Sequence, residues 1–199
     1  MSIYKGSQKI STLYAGGRGV KQVYHGSQLI YSKNQYVNYL FLDFDEATGV
    51  LSPPSGEVPS LNIEMIEDDT SNAYGLFRGI FYNCSNLTGT PKFPNLQKVY
   101  GTYTFRETFF NCTGLTGAPQ FPKLKVVGGS EAFVSMFQGC SNLSGAVYFN
   151  SLISIHSKYD FQNMFKGTKI TDVHFPKTLS DSSITKAILG NTGSILYDL

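Results

Sequence analysis

The stretch FRETFFNCTGLTGAPQFPKLKVV, residues 105–127, decides the fold. It is echoed 28 residues earlier as FRGIFYNCSNLTGTPKFPNLQKV (77–99) and 28 residues later as FVSMFQGCSNLSGAVYFNSLISI (133–155). Phe77, Phe105, Phe133 and Phe161 share one column, and Phe81, Phe109, Phe137 and Phe165 the next. Cys84, Cys112 and Cys140 follow, then Leu87, Leu115 and Leu143. The register continues through Phe93, Phe121 and Phe149, then Leu96, Leu124 and Leu152, then Val99, Val127 and Ile155. Apolar columns kept over three or four units mark a repeat architecture, because one unit alone has nothing to cover its apolar side. Stacking sets each Phe and Leu against its counterpart roughly 4.8 Å away. The expected core is therefore a set of ladders, and replacing Phe109 or Phe137 by Ala should cost about 3–5 kcal/mol.

Within a unit, NLTGTPKFPNL (86–96) and GLTGAPQFPKL (114–124) are rich in Gly and Pro with spaced apolar positions, which predicts a short strand and a bend. TFRETFFNC (104–112) and EAFVSMFQGC (131–140) have Phe at i and i+4, which predicts one or two helical turns. The expected fold is thus an α+β repeat, a solenoid of 28-residue coils with a short strand and a short helix in each. The fourth unit, FQNMFKGTKITDVHFPKTL (161–179), is about two residues shorter and has Thr168 in place of Cys, as terminal repeats often differ.

Outward from the repeats, residues 34–76 are expected to form an N-terminal cap. YVNYLFLDFD (36–45) alternates like a strand, LSPPSGEVPS (51–60) reads as a loop, and LNIEMIEDD (61–69) reads as a degenerate strand opening the stack. VPSL (58–61) is a weak copy of FPNL. Residues 180–199 form the other cap, with a short helix, a break at Gly190 and a closing strand expected in SSITKAILGNTGSILYDL (182–199). A second period of ten occupies residues 1–33: IYKGSQKIST, LYAGGRGVKQ and VYHGSQLIYS align Tyr4, Tyr14 and Tyr24, then Gly6, Gly16 and Gly26, then Ile10, Val20 and Ile30. β-formers flanking a Gly-containing polar turn predict three short hairpins.

FYNCSNLTG (81–89), FFNCTGLTG (109–117) and MFQGCSNLSG (136–145) resemble the signature of the BspA-type leucine-rich repeat, over roughly residues 58–179. The resemblance implies a curved solenoid with strands on one face, used for adhesion or protein recognition. Surface proteins of that family usually carry an export signal or anchor, a pattern that MSIYKGSQKISTLYAGG (1–17) does not show. The decads resemble a hairpin module of phage structural and tail proteins. Together the two resemblances imply a virion component, such as a tail, baseplate or head-fibre protein, assembled as a homo-oligomer, a trimer among the options, or with other virion proteins. The alternative is a bacterial surface or protein-interaction protein carrying leucine-rich repeats.

A net charge of +2 spread over 199 residues gives no basic stripe of the kind a phosphate backbone needs, so nucleic acid is not an expected partner. No window has the roughly 18 uninterrupted apolar residues of a membrane span, so insertion is not expected either. The three cysteines form no CxxC, and His25, His156 and His174 stand at no ligand spacing from them. They read as small buried side chains, with one bridge between ladder neighbours left open by geometry. Asp43, Asp45 and Glu46 lack calcium-loop spacing and read as charges guarding a strand edge. Gly16–Gly19 lacks the Lys-Ser/Thr and helix start of a phosphate loop.

No nucleophile–base pairing is visible, so no catalytic residue, cofactor or metal is assigned. The remaining enzyme reading is a glycan hydrolase, whose acid pair would have to come from Asp43, Asp45, Glu57, Glu64, Glu67, Asp68 and Asp69, all before the regular repeats. The binding expectation rests on the column just before the FP-type motif, which varies while its neighbours hold: Lys92, Gln120, Tyr148 and His174. With Tyr82 and Phe110 these are expected to line a recognition face for a protein or a host-surface glycan.

Overall fold

The computed structural model describes residues 3–5, 8–10, 13–15, 18–20, 43–45, 50–52, 56–58, 65–66, 75, 77–190 and 193–198. Strand β1 (Ile3–Lys5) pairs antiparallel with β2 (Gln8–Ile10), and β3 (Leu13–Ala15) with β4 (Arg18–Val20), so each hairpin lies within one decad. The third decad, the start of the 36–45 strand with Glu46 of the acidic run, and Leu61–Glu64 lie outside the described residues. β5 (Asp43–Asp45) and β6 (Val50–Ser52) form a further antiparallel pair.

All the remaining sheets are parallel. β7 (Gly56–Glu57) pairs with β9 (Leu87–Thr88). β8 (Met65–Ile66), β10 (Lys98–Val99), β11 (Val126–Val127) and β13 (Ser154–Ile155) form a four-stranded sheet in the order β13-β11-β10-β8. The 28-residue period sets its register, with Val99 opposite Val127 and Val127 opposite Ile155. β12 (Ser144–Tyr148), β14 (Lys169–Phe175) and β15 (Ser194–Tyr197) form a third sheet, in the order β12-β14-β15.

The α+β leucine-rich-type solenoid with a helix in every coil does not form. The sole α-helix among the described residues is α1 (Lys186–Leu189), with 3-10 turns at Lys158–Phe161 and Lys177–Ser182. The strands make separate sheets of two to four members rather than one closed or continuously coiled sheet.

Where helices were expected, the chain forms successive β-turns. Ile80 N–H donates to Phe77 O and Cys84 N–H to Phe81 O, an i to i+3 pattern repeated by Thr108 to Phe105 and Cys112 to Phe109. The intervening N–H groups donate to the next repeat: Phe77 to Thr104 O at 2.7 Å, Phe81 to Thr108 O at 2.9 Å, Phe105 to Ala132 O at 2.8 Å and Phe109 to Met136 O at 2.9 Å. Half of this backbone is satisfied within a turn and half between repeats, which answers the requirement that buried peptide groups be paired. Positive φ recurs every fourth residue, at Gly75, Gly79 and Asn83, then Tyr103, Glu107 and Asn111, then Glu131, Ser135 and Gly139, a geometry no α-helix contains.

Spacing explains why the turn ribbon wins. Phe81 and Phe109 stack with ring centroids 4.9 Å apart, and Phe93 and Phe121 at 4.8 Å, so both walls of the stack rise by about one strand spacing per repeat. Helices pack about 8–10 Å axis to axis, twice that rise. A ribbon one chain thick fits without splaying one wall.

In the second unit the ribbon puts two residues in and two out: Thr104 and Phe105 are buried, Arg106 and Glu107 are not, Thr108 and Phe109 are buried again, and Phe110 and Asn111 are not. In the third unit Val134 and Ser135, at the outward positions, are buried as well. Three Phe ladders fill the core. Phe77-Phe105-Phe133-Phe161 and Phe81-Phe109-Phe137-Phe165 come from the ribbon, and Phe93-Phe121-Phe149-Phe175 from the strand wall. The walls meet edge to face, as in Phe93 on Phe105 at 82° and Phe149 on Phe161 at 71°. Such pairs contribute about 0.5–1.5 kcal/mol each beyond area burial. At the C-terminal end, Ile188 O and Leu189 O of α1 accept the N–H groups of Asn163 and Phe165, so α1 stands where a further ribbon would lie. No helix among the described residues is long and apolar enough to cross a membrane.

Candidate recognition surface

The column before each strand-wall Phe is held in line by backbone pairing. Lys92 is bridged to Gln120, Tyr148 lies opposite His174, and His174 lies opposite Leu196. Phe93, Phe121, Phe149 and Phe175 are buried beneath. Strand alternation therefore sends the preceding residues outward: Lys92, Gln120 and Tyr148 are exposed and His174 partly so. The Tyr148 and His174 rings stack at 4.3 Å, and His174 Nδ1 lies 2.9 Å from Asp198 Oδ1. Tyr148 keeps 47% of its surface exposed, so it is the large exposed aromatic of this row.

Tyr82 and Phe110 do not join this row. They stand on outward positions of the turn ribbon, stacked on each other at 4.8 Å and 1°, with the Phe105, Phe109 and Phe93 rings lying between the two walls. The ribbon's outer face also carries a charged group that sequence reading missed. Arg78 and Arg106 lie 3.6 Å and 3.5 Å from Glu107, Arg106 reaches Glu131 at 2.5 Å, and both guanidinium groups sit near the Tyr103 ring. Arginines spaced by one repeat, beside a Glu in the next column, were the available signal. Leu196 and Asp198 were missed at the other end of the row. His174 and Leu196 are 22 residues apart, so the 28-residue period does not point to their pairing.

The cysteine column is structural in its geometry. All three thiols are free and buried. Cys112 Sγ donates to Phe81 O at 2.8 Å and Cys140 Sγ to Phe109 O at 2.9 Å, as Thr108 Oγ1 does to Phe77 O at 2.8 Å. Each joins its ribbon to the previous one. Burial pushes the Cys84 thiol up to about 11 and Cys140 to about 12. Cys112 is also raised, by burial first and then by its two cysteine neighbours. A thiol so held stays protonated and donates, and thiolate chemistry is disfavoured.

His156 Nδ1 lies 3.7 Å from Asp160 Oδ1, the one His–carboxylate approach besides His174–Asp198 among the described residues. Asp160 is buried and accepts the N–H of Ser157 at 2.7 Å and of Glu131 at 2.9 Å. Burial raises its pKa, and those two hydrogen bonds oppose the rise. Its oxygens are thus committed to capping backbone. No group of three or more His, Cys, Asp or Glu able to hold a metal ion occurs among the described residues. Of the acids before the repeats, Asp43 and Asp45 lie in the β5–β6 hairpin and Glu57 is exposed in β7. Comparison with family models, with curated proteins and with solved structures finds no match for this chain.

Proposed function

We propose that this chain is a non-catalytic display protein whose strand-wall row, Lys92–Gln120–Tyr148–His174, binds a protein or glycan on another surface, as a component of a virion tail, baseplate or head fibre. The observation that carries the reading is the division of labour in the repeats. Buried columns keep Phe, Leu and Val from unit to unit, while the outward row changes chemistry at every step over an unchanged Phe ladder. A scaffold that fixes side chains in line but leaves their identity free suits recognition. The short hairpins at residues 3–20 suit an assembly module, because isolated hairpins need a partner to be stable.

The full chain and Tyr148→Ala/His174→Ala are probed on glycan and protein arrays, with thermal unfolding measured in parallel. Binding by the wild type that the folded double variant loses supports the reading. A variant that binds equally well, or wild-type turnover of a bound glycan, overturns it.

A further inference from the structure

We propose that the corner formed by residues 91–98 and 119–126 binds an acidic polysaccharide, an inference that rests on the strand-wall row being the recognition surface. Lys92, Lys98, Lys123 and Lys125 fall within seven register positions of two neighbouring repeats. Backbone pairing puts Lys92 opposite Gln120 and Lys98 opposite Val126. Lys123 Nζ donates to Asn95 Oδ1 at 2.7 Å and Lys125 Nζ to Gln97 Oε1 at 3.4 Å, both on the preceding repeat.

These anchors are neutral amides. An ammonium has three donors, so each anchored lysine keeps two for a ligand and all of its charge. Among the described residues none of the four lysines has a carboxylate within ion-pair distance, whereas Arg78 and Arg106 are matched to Glu107 and Glu131 on the turn ribbon. The imbalance is wider than this corner: residues 77–199 hold eleven Lys and Arg against six Asp and Glu, and residues 1–76 hold five against eight. A lysine already held in place gives up less side-chain freedom on binding than a free one.

The neighbours of the four charges select the class of anion. Gln120 and Tyr148 add an amide and a hydroxyl to the row, groups that match sugar hydroxyls. His174 covers one face of the Tyr148 ring, and Tyr82 and Phe110 stand on the other wall, so the row carries one exposed aromatic, Tyr148, and no succession of rings on which consecutive bases could stack. Spaced carboxylates or sulfates on a sugar chain fit this mixture better than a phosphate backbone with bases.

The test uses the full chain with heparin oligosaccharides, neutral dextran and single-stranded DNA of matched charge, titrated at several salt concentrations. Heparin should bind and dextran should not, with DNA weaker by about tenfold or more. Lys123→Gln/Lys125→Gln should lose about tenfold in heparin affinity and roughly half of the salt slope, because two of four cation contacts are removed. Lys166→Gln/Lys186→Gln, which removes the same charge elsewhere, should change affinity by no more than about twofold. Circular dichroism confirms that each variant is folded. The inference is overturned if heparin does not bind, if both double variants lose affinity equally, or if DNA binds as tightly. The Tyr148→Ala/His174→Ala arrays judge the underlying reading separately: a chain that takes a neutral glycan through Tyr148 and ignores heparin sinks only the acidic ligand.

Discussion

Replacing Gly79 by Ala distinguishes a turn ribbon from a helix by the sign of its effect. Gly79 lies between Phe77 and Phe81 with φ of 62°, its N–H donating to Arg106 O at 3.0 Å. A Cβ there would meet Tyr82 Cβ at 3.8 Å, ordinary contact, so the backbone alone decides the outcome. Holding an L-residue in the left-handed region costs about 1–2 kcal/mol. The reduced freedom of the unfolded Ala chain offsets about 0.4–1 kcal/mol of this. The net expectation is destabilisation by about 1 kcal/mol. In the interior of an α-helix the same change would stabilise by about 0.8–1 kcal/mol. Urea unfolding followed by circular dichroism, with the slope m checked for constancy, resolves a gap of about 2 kcal/mol between those outcomes. Gly139→Ala should cost more, because φ is 79° and the added Cβ would run into Asn111 Oδ1. A Gly79→Ala chain more stable than wild type would refute the turn ribbon over 77–84.

Phe109→Ala, which loses stacked partners at 4.9 and 5.3 Å, should cost about 4–5 kcal/mol, against about 3 kcal/mol for Phe77→Ala with one stacked partner among the described residues. Equal losses in urea melts would argue against ladder coupling. Cys140 carries its proton in the folded chain up to about 12 but ionises near 9 when unfolded, so stability is fully present below pH 9 and falls as pH rises above it. The expected fall is about 1.4 kcal/mol per pH unit from this thiol. Cys140→Ala should show a shallower alkaline slope, and parallel slopes would contradict a buried donor thiol. Asp160→Ala removes the acceptor of the Ser157 and Glu131 N–H groups and should cost about 2–4 kcal/mol, with Asp160→Asn recovering part of it. A loss below about 0.5 kcal/mol in thermal or urea melts, the range of ordinary surface changes, would show that neither N–H depends on the carboxylate.

The repeat itself was legible because the ladder residues answer to one 28-residue register, except Phe175, which follows Phe149 by 26 in the shortened fourth unit, and Phe77, Phe81 and Phe93 with their counterparts are the side chains that stack. The helix was misread for a physical reason. A period of four serves both an α-helix at 3.6 residues per turn and a ribbon of β-turns, and Phe at i and i+4 cannot separate them. The separating signal was present in part: Gly79, Asn83, Asn111, Gly139, Asn163 and Gly167 each stand two residues after a ladder Phe and take positive φ. Glu107, Ser135 and Glu131 hide it, since they hold the same geometry without the residue type that announces it. On the strand wall, Lys92, Gln120, Tyr148 and His174 were legible as a column because outward residues share the register of the inward ones. The grouping with Tyr82 and Phe110 failed because nearness to the same motif in sequence says nothing about which wall a residue stands on.

The two-in, two-out ribbon and the alternating strand wall have a consequence for what this scaffold can do. Inter-repeat bonds run mainly through backbone, as in Phe81 N–H to Thr108 O, and through buried donors such as Cys112 Sγ, with a few outward side chains such as Asn142 and Ser151 adding exposed ones. Outward positions can then change at little cost to the fold, within the roughly 0.5 kcal/mol typical of surface substitutions. The exceptions mark where the surface has become structural: Arg106 with Glu107 and Glu131 ties three ribbon positions together. Lys123 and Lys125 are also tied across repeats, but to amides that leave their charge uncancelled. An ion pair on the ribbon consumes charge, whereas an amide anchor between repeats holds a lysine in place and leaves its charge free, which is the contrast on which the proposed binding corner rests.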